Sequence, residues 1–182
     1  LITPPPSAPA LGLPSNSWDT VSTEYTALSK EVDEFVYTHQ NFLVVFAAGN
    51  CGDTTDDTID NCSVLDEDEG TVLSPAQGKN VVAVGSSESG GEDSKDSDTV
   101  SYFSSKGPTI DGRIKPDVVA PGDPNYSASA DPSGETCEMA FQTGTSMATP
   151  VVAGNGAMAR QYFREGWYNT GSKNETLGFD PS

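Results

Sequence analysis

The chain has 182 residues, about one domain by length, and 35% of them are apolar. Its formal net charge is −18, from 27 acidic and 9 basic residues. Because nucleic acids and anionic membranes attract cationic surfaces, this charge argues against both as partners. No secretion signal or membrane-spanning run is visible in the sequence.

Three cysteines and three glycosylation sequons bear on where the protein resides. Cys51 and Cys62 flank a polar loop with little apolar material to hold it, so we expect them to form a disulfide if the protein is secreted. Cys137 would then be free or paired outside the chain. The Asn-X-Ser/Thr sequons begin at Asn61, Asn125 and Asn174. Together these features favour a secreted, extracellular or secretory-pathway protein, and free thiols with unused sequons are the open alternative.

The first part of the chain alternates a helix with buried strands. Residues 1–14 are rich in proline and predict a linker or the edge of a fragment. Thr26 is a candidate N-cap for a helix that ends near His39. The apolar runs 42–48 and 80–85 predict two buried strands of a parallel sheet.

Further strand and turn signals follow two acidic loops. Residues 100–103 predict a short strand. Residues 117–120 predict another strand, which we expect to end at Pro121-Gly122. A loop should follow, because Asp-Pro turn signals occur at 123–124 and 131–132.

The last predicted element is a helix from about residue 145 to 163. The polar tail 166–182 is expected to be frayed or truncated. Because buried strands alternate with helices along the chain, we predict an α/β fold, a mostly parallel sheet with flanking helices.

The segment 144–150, GTSMATP, has the features of a helix start that carries an activated serine. A serine in the first turn lies at the positive end of the helix dipole, beside backbone N–H groups that can hold an oxyanion. Gly144 would allow close approach of a substrate, and Pro150 fits a first turn, where its missing N–H costs nothing. Ser146 is therefore a candidate nucleophile, with simple helix capping by Ser146 or Thr145 as the alternative.

Asn50 is the second candidate. It ends a predicted buried strand, at the carboxyl edge of the sheet, where α/β proteins place their sites. Its side-chain amide could donate to the same oxyanion. Taken alone, it could equally be an ordinary turn asparagine.

Segments spread along the chain resemble, in order, the second half of the catalytic domain of a subtilisin-like serine peptidase. They are 15–18 (SNSW), 46–50 (FAAGN), 80–85 (NVVAVG), 103–108 (FSSKGP) with 115–122 (KPDVVAPG), and 144–150 (GTSMATP). The resemblance covers about residues 15–165. Residues 115–117 and 154–155 look most like the larger subtilases that carry a β-sandwich domain after the catalytic one. The resemblance implies a subtilisin-like fold for this partial domain.

The resemblance also implies roles for individual residues. Ser146 would be the nucleophile, and Asn50 the side-chain oxyanion donor, with the Ser146 N–H as the other donor. The substrate-binding residues would be Ser17, Trp18, Ala47, Ala48, Gly49, Gly144 and Thr145. Ser17 and Trp18 would pair with the substrate backbone as a β-strand. Asp19 stands where the family usually has glycine, at the rim of the pocket.

The catalytic Asp and His implied by the resemblance would precede this chain, because the triad of subtilisin runs Asp, His, Ser. His39 is the single histidine, and it lacks the glycines that surround the family's histidine. The chain is therefore interpreted as a serine endopeptidase fragment that acts on protein or peptide substrates, lacks the N-terminal half of its catalytic domain and is inactive in isolation. A partial gene product, a faulty gene model or a natural pseudoenzyme would each give such a fragment.

Two other function classes compete with this interpretation. An α/β-hydrolase needs its histidine after the serine, and no histidine follows Ser146. A catalytically inactive pseudopeptidase or binding module is the non-enzyme alternative. An Asp and a glycine-flanked His encoded upstream would exclude it.

No cofactor follows with certainty from the sequence. The acidic loops could hold calcium, which takes carboxylate and carbonyl oxygens and which subtilases often bind. Neither loop has a recognisable calcium-ligand spacing. A solvated acidic surface is therefore the favoured interpretation.

Overall fold

The computed structural model describes residues 15–16, 22–53, 62, 70–90, 96–129 and 138–179. The predictions for 1–14, Ser17, Trp18, Cys137 and most of the two acidic loops lie outside these residues. The elements, in chain order, are β1 (Ser15–Asn16), α1 (Ala27–Thr38), β2 (Val45–Ala47), β3 (Val82–Glu88), β4 (Val118–Asp123), β5 (Asn125–Ala128), β6 (Met139–Gln142), α2 (Thr145–Arg164) and α3 (Trp167–Thr170).

Four parallel strands form the main sheet, in the order β1-β2-β3-β4. Strand β2 pairs with β3 in the register Val45 to Val82 and Phe46 to Ala83. Because the strands are parallel, their carboxyl ends lie at one edge of the sheet, and the segments that follow β2 and β4 begin there. The predicted α/β fold with a mostly parallel sheet and flanking helices is confirmed.

The two faces of the sheet are covered by different helices. Phe46 packs with Val36 of α1 in one apolar cluster. Val45, the preceding residue, packs with Ala148 of α2 in a second cluster. Since successive residues of a strand point to opposite faces, α1 and α2 lie on opposite sides of the sheet.

Helix α1 begins at the predicted N-cap. The Thr26 hydroxyl accepts a hydrogen bond from the Ser29 N–H at 3.3 Å. The buried carboxylate of Asp33 accepts the backbone N–H groups of Lys79 and Asn80 at 2.8 and 2.7 Å. These bonds satisfy a charge that burial would otherwise penalise, and they tie α1 to the turn before β3.

Several predictions between residues 100 and 143 differ from the structure. Strand β4 continues through Pro121 and Gly122 to Asp123. It is the outer strand of the described sheet, where a residue without an N–H is tolerated. The expected loop contains the antiparallel pair β5 and β6. Of the predicted strand 100–103, Val100 forms an isolated bridge with Ser87, and residues 102–103 lie in a turn.

The tail is packed against the end of α2 rather than frayed, as far as the described residues extend. The N–H of Asn174 donates to the carbonyl of Glu165 at 2.9 Å, and that of Phe179 to Phe163 at 3.3 Å. The rings of Phe179 and Tyr168 lie 5.3 Å apart. The polar composition of the tail gave no sign of these aromatic contacts. No helix in the described part of the chain is long and apolar enough to span a bilayer.

Candidate active site

Asn50 stands in the turn that follows β2. Gly49 precedes it with φ of +106°, a conformation that favours glycine. The Ser105 N–H donates to the carbonyl of Gly49 at 3.0 Å, and the Ser105 hydroxyl oxygen accepts the N–H of Cys51 at 3.0 Å. Ser105, which lies in another loop, thus holds the backbone on both sides of Asn50.

A disulfide joins Cys51 to Cys62 directly after Asn50, with Cα atoms 5.3 Å apart. Both cysteines are buried and pack with Leu73. The structure therefore contains the bridge that the sequence predicts. It closes the polar loop at the point where the chain leaves the sheet.

The first turn of α2 carries Ser146 as the second helical residue. Gly144 is the N-cap, with φ of +150°, and its N–H donates to the carbonyl of Gly122 at 2.9 Å. That bond connects the helix start to β4. Backbone N–H groups in the first turn of a helix form the positive end of its dipole. The half-buried Ser146 thus lies where developing negative charge is favoured.

Asn50 binds the residue next to the candidate nucleophile. Its Oδ1 accepts the backbone N–H of Thr145 at 2.9 Å and the Thr145 hydroxyl at 3.0 Å. Because the backbone nitrogen is a donor, the amide oxygen must face Thr145, and Nδ2 occupies the other amide position. Thr145 is fully buried, so this anchor is shielded from water. The amide donor of Asn50 is therefore held beside the turn that carries Ser146.

Pro150 does not lie in the first turn, where the sequence predicts it. It is the sixth residue of α2, because the helix already begins at Thr145. Its missing N–H removes the helical hydrogen bond that the carbonyl of Ser146 would otherwise accept. One residue earlier, the buried Thr149 hydroxyl donates to the Thr145 carbonyl at 2.8 Å.

A groove of about 630 Å³ opens at Ser146. One wall is the beginning of α2, and the other is the β5–β6 pair. The lining residues are Asn125, Tyr126, Ser127, Ala128, Ser129, Ala140, Gln142, Ser146, Met147, Pro150 and Val151. The walls of the groove mix polar and apolar groups.

The predicted substrate-binding residues fall into three groups. Gly144 and Thr145 lie beside Ser146, although the Thr145 side chain faces Asn50 and is buried. Ala47, Ala48 and Gly49 are buried under the Asn50 turn and do not line the groove at Ser146. Ser17 and Trp18 are outside the described residues.

Asn125 is a site residue that sequence reasoning missed. Its Nδ2 donates to the carbonyls of Pro121 and Met147 at 2.8 and 3.2 Å, and its Oδ1 accepts the Ser89 hydroxyl at 3.1 Å. It thereby joins the carboxyl ends of β3 and β4 to the first turn of α2. No local signal could have found this role, because the three partners come from separate segments.

His39 lies at the end of α1, a different element from those that carry Asn50 and Ser146. It caps α1, with Nδ1 2.8 Å from the carbonyl oxygen of Phe35 and its ring stacked on the Phe35 ring. Helix α1 covers the face of the sheet opposite α2. The chain's one histidine is therefore not placed to act on Ser146.

Metal ligands are not clustered in the described residues, where no group of three or more His, Cys, Asp and Glu side chains could hold an ion. Most of the two acidic loops lies outside those residues. Calcium binding by those loops therefore stays a prediction.

The family model of subtilases, peptidase family S8, matches residues 12–176. The chain belongs to the subtilase family of serine proteases. The matched range includes most of the packed tail, and so extends beyond the 15–165 region in which the sequence resemblance is visible.

The chain is also similar to individual proteins. The chain is 37% identical over 128 residues to serine protease AprX of Bacillus subtilis, an alignment that covers 65% of this chain and 26% of AprX. It is 26% identical over 255 residues to the serine protease/ABC transporter B family protein tagD of Dictyostelium discoideum, covering 92% of this chain and 13% of tagD. Sphericase has a similar fold, with a TM-score of 0.57 at 24% identity, covering 91% of this chain and 45% of that one. The chain thus spans less than half the length of each.

Proposed function

We propose that this chain is the nucleophile-bearing part of a serine endopeptidase that cleaves protein or peptide substrates through an acyl-enzyme. The contact between Asn50 and Thr145 carries the proposal, because it brings an amide donor and a helix-start serine together from distant segments. Membership of the subtilase family of serine proteases supports the same reaction class.

In this mechanism the Ser146 hydroxyl attacks the scissile carbonyl carbon and gives its proton to a general base; the C–N bond then breaks, and the amine leaves with that proton as the acyl-enzyme forms. During the attack, negative charge develops on the carbonyl oxygen. Nδ2 of Asn50 and the backbone N–H of Ser146 donate to that oxygen, and both are fixed before the substrate arrives. Donors that are already in place need no reorganisation during the reaction. The hydrogen bonds from the buried Thr145 hold the Asn50 amide in place in this way.

The groove at Ser146 supports a polypeptide as substrate. It continues from the nucleophile along the β5–β6 pair, so an extended segment can lie on one side of the bond that is cut. Asn125 stiffens this wall through its hydrogen bonds to β4 and α2.

The general base would come from a segment that precedes the chain, together with the acid that orients it. His39 lies on the wrong face of the sheet for this role. The later turns of α2 support contact with another part of the protein, because Met158 and Tyr162 lie one turn apart on the same side of the helix and are 61% and 45% exposed. We assign that side to the preceding half of the catalytic domain.

An extracellular or secretory location is part of the proposal. The Cys51–Cys62 disulfide supports it, since such bridges persist in oxidising compartments. The net charge of −18 argues against nucleic acid or an anionic membrane as a partner. Calcium binding by the acidic loops belongs to the proposal only as an expectation from the family.

The test compares the whole gene product with residues 1–182 alone on a denatured protein substrate. We expect hydrolysis by the whole product, none by the isolated chain, and loss of activity in Ser146→Ala. Ser172→Ala, in the exposed tail, is the matched control and should keep full activity. Hydrolysis by the isolated chain, or an inactive whole product that still binds peptides, would reject the proposal; the second result would favour a pseudopeptidase.

A further inference from the structure

The sequons at Asn125 and Asn174 lie in opposite structural situations. Both have the pattern Asn-X-Ser/Thr. The Nδ2 of Asn125 already donates to two backbone carbonyls, and Asn125 lines the groove at Ser146. A sugar on this nitrogen would replace one N–H and fill the groove. The folded protein cannot accommodate a glycan there.

The side-chain amide of Asn174 has different hydrogen-bond partners. Its Oδ1 accepts the N–H of Thr176 at 3.2 Å and the Thr176 hydroxyl at 2.7 Å. The oxygen of the amide is thus turned toward the sequon threonine, and Nδ2 makes no hydrogen bond to any described residue. The side chains on either side of the half-buried Asn174, those of Glu175 and Lys173, are 75% and 46% exposed.

The backbone around Asn174 is fixed at the far end of α2 from the nucleophile. The Asn174 N–H donates to Glu165, just past the helix end. At 1.5 Å rise per residue, Ser146 and Glu165 are about 28 Å apart along the helix. A glycan on Asn174 would therefore leave the groove open.

From this contrast we propose that Asn174 is an N-glycosylation site and that Asn125 is not. The proposal rests on the extracellular or secretory location proposed above. The co-substrate is a lipid-linked oligosaccharide. A bond forms between Nδ2 and the anomeric carbon of the first sugar, and the anomeric C–O bond to the carrier breaks. The lipid phosphate or pyrophosphate leaves with the bonding electrons, and one Nδ2 proton passes to a base of the transferase.

The chemistry of the sequon fits this step. A hydrogen bond donated to an amide oxygen makes the amide N–H more acidic, and Nδ2 must lose a proton when it attacks. The Thr176 hydroxyl supplies that hydrogen bond in the folded chain. Sequons that are modified are typically found on such exposed loops of secreted proteins.

The experiment expresses the whole gene product in a yeast, once with its own N-terminus and once behind a known secretion signal. A C-terminal tag with its own sequon allows molecules that met the transferase to be purified by lectin. Glycan release by a peptide amidase in heavy-oxygen water, followed by peptide mass spectrometry, marks each modified asparagine. Export only with the added signal would count against the proposed location and not against the site.

We expect heavy-oxygen aspartate at 174 and unmodified Asn125 in lectin-purified, soluble protein. Asn174→Gln and Thr176→Val should each remove one glycan, Thr176→Ser should retain it, and Asn125→Gln should change no glycan mass. Unmodified Asn174 in molecules whose tag is glycosylated would overturn the proposal. A glycan on Asn125 in soluble protein would overturn its second half.

Discussion

The side-chain oxygen of Asn50 lies 2.9 Å from the backbone nitrogen of Thr145, although 95 positions separate the two residues. This hydrogen bond fixes the amide group of the proposed oxyanion donor against the helix turn that carries Ser146. The fully buried Thr145 hydroxyl donates to the same oxygen at 3.0 Å, so two bonds link the turn after β2 to α2.

Asn50→Ala in the whole gene product should lower kcat by about 10²–10³ and change KM little. The amide would act on charge that exists only in the transition state, so its loss spares substrate binding. The magnitude is that of removing the side-chain oxyanion donor of subtilisin, and it is carried over from that relative. Steady-state kinetics should be paired with a thermal melt of the same sample. A lowered melting temperature with unchanged kcat would show that Asn50 only holds the turn.

Replacing both disulfide cysteines by alanine should lower the free energy of unfolding by roughly 3 kcal/mol, because the bridge closes a loop with a sequence separation of 11. Denaturant unfolding of the whole gene product measures the change. The parent protein treated with a thiol reductant is the matched control, and should lose a similar amount. Equal stability of the oxidised parent and the double variant would mean that the bridge adds nothing.

Added salt should raise the melting temperature of the protein. A net charge of −18 destabilises the compact state through self-repulsion. Between 0.01 and 1 M salt, the screening length falls from about 30 to about 3 Å, which weakens that repulsion. Melting curves over a sodium chloride series measure the effect, with sucrose at equal osmolality as the uncharged control. A flat salt series would contradict this expectation.

Tyr25 should ionise at a higher pH than an ordinary tyrosine side chain. Partial burial raises the pKa of Tyr25 to about 12 from 10.0, and the Asp33 carboxylate, which accepts the Tyr25 hydroxyl at 2.7 Å, acts in the same direction. Because the folded-state pKa is the higher one, this stabilisation is complete below pH 10 and is lost as the pH rises toward 12. The difference between the ultraviolet titrations of the parent and Tyr25→Phe should show one group that ionises near pH 12. Asp33→Asn should move the pKa back toward 10.

Several of the helices and strands could be predicted from the sequence alone. The Thr26 cap, the apolar runs that became β2 and β3, and the start of α2 each have a strong local pattern. The β5–β6 pair escaped prediction because the Asp-Pro signals before and within it favoured a loop, and short half-exposed strands have weak alternation. The extension of β4 through Pro121 depends on its outer position in the described sheet, which no local pattern encodes.

The site itself was predicted by resemblance rather than by pattern. Taken alone, Asn50 could be an ordinary turn residue and Ser146 an ordinary helix cap. Only the folded chain brings their two segments together. The bonds of Asn125 and the anchoring of Asn50 by Thr145 depend on contacts between distant segments. Such contacts follow from packing, which single-sequence periodicity does not specify.

Labelling of the whole gene product with a fluorophosphonate tests the central claim, that Ser146 is an activated nucleophile, most directly. The reagent phosphonylates serines whose hydroxyl is activated by a base and whose oxyanion is stabilised. Peptide mass mapping should find the phosphonyl group on Ser146, in proportion to the loss of peptide hydrolysis, with slower labelling in Asn50→Ala and none in Ser146→Ala. Labelling at a different residue, or peptide hydrolysis that persists in Ser146→Ala, would contradict the claim.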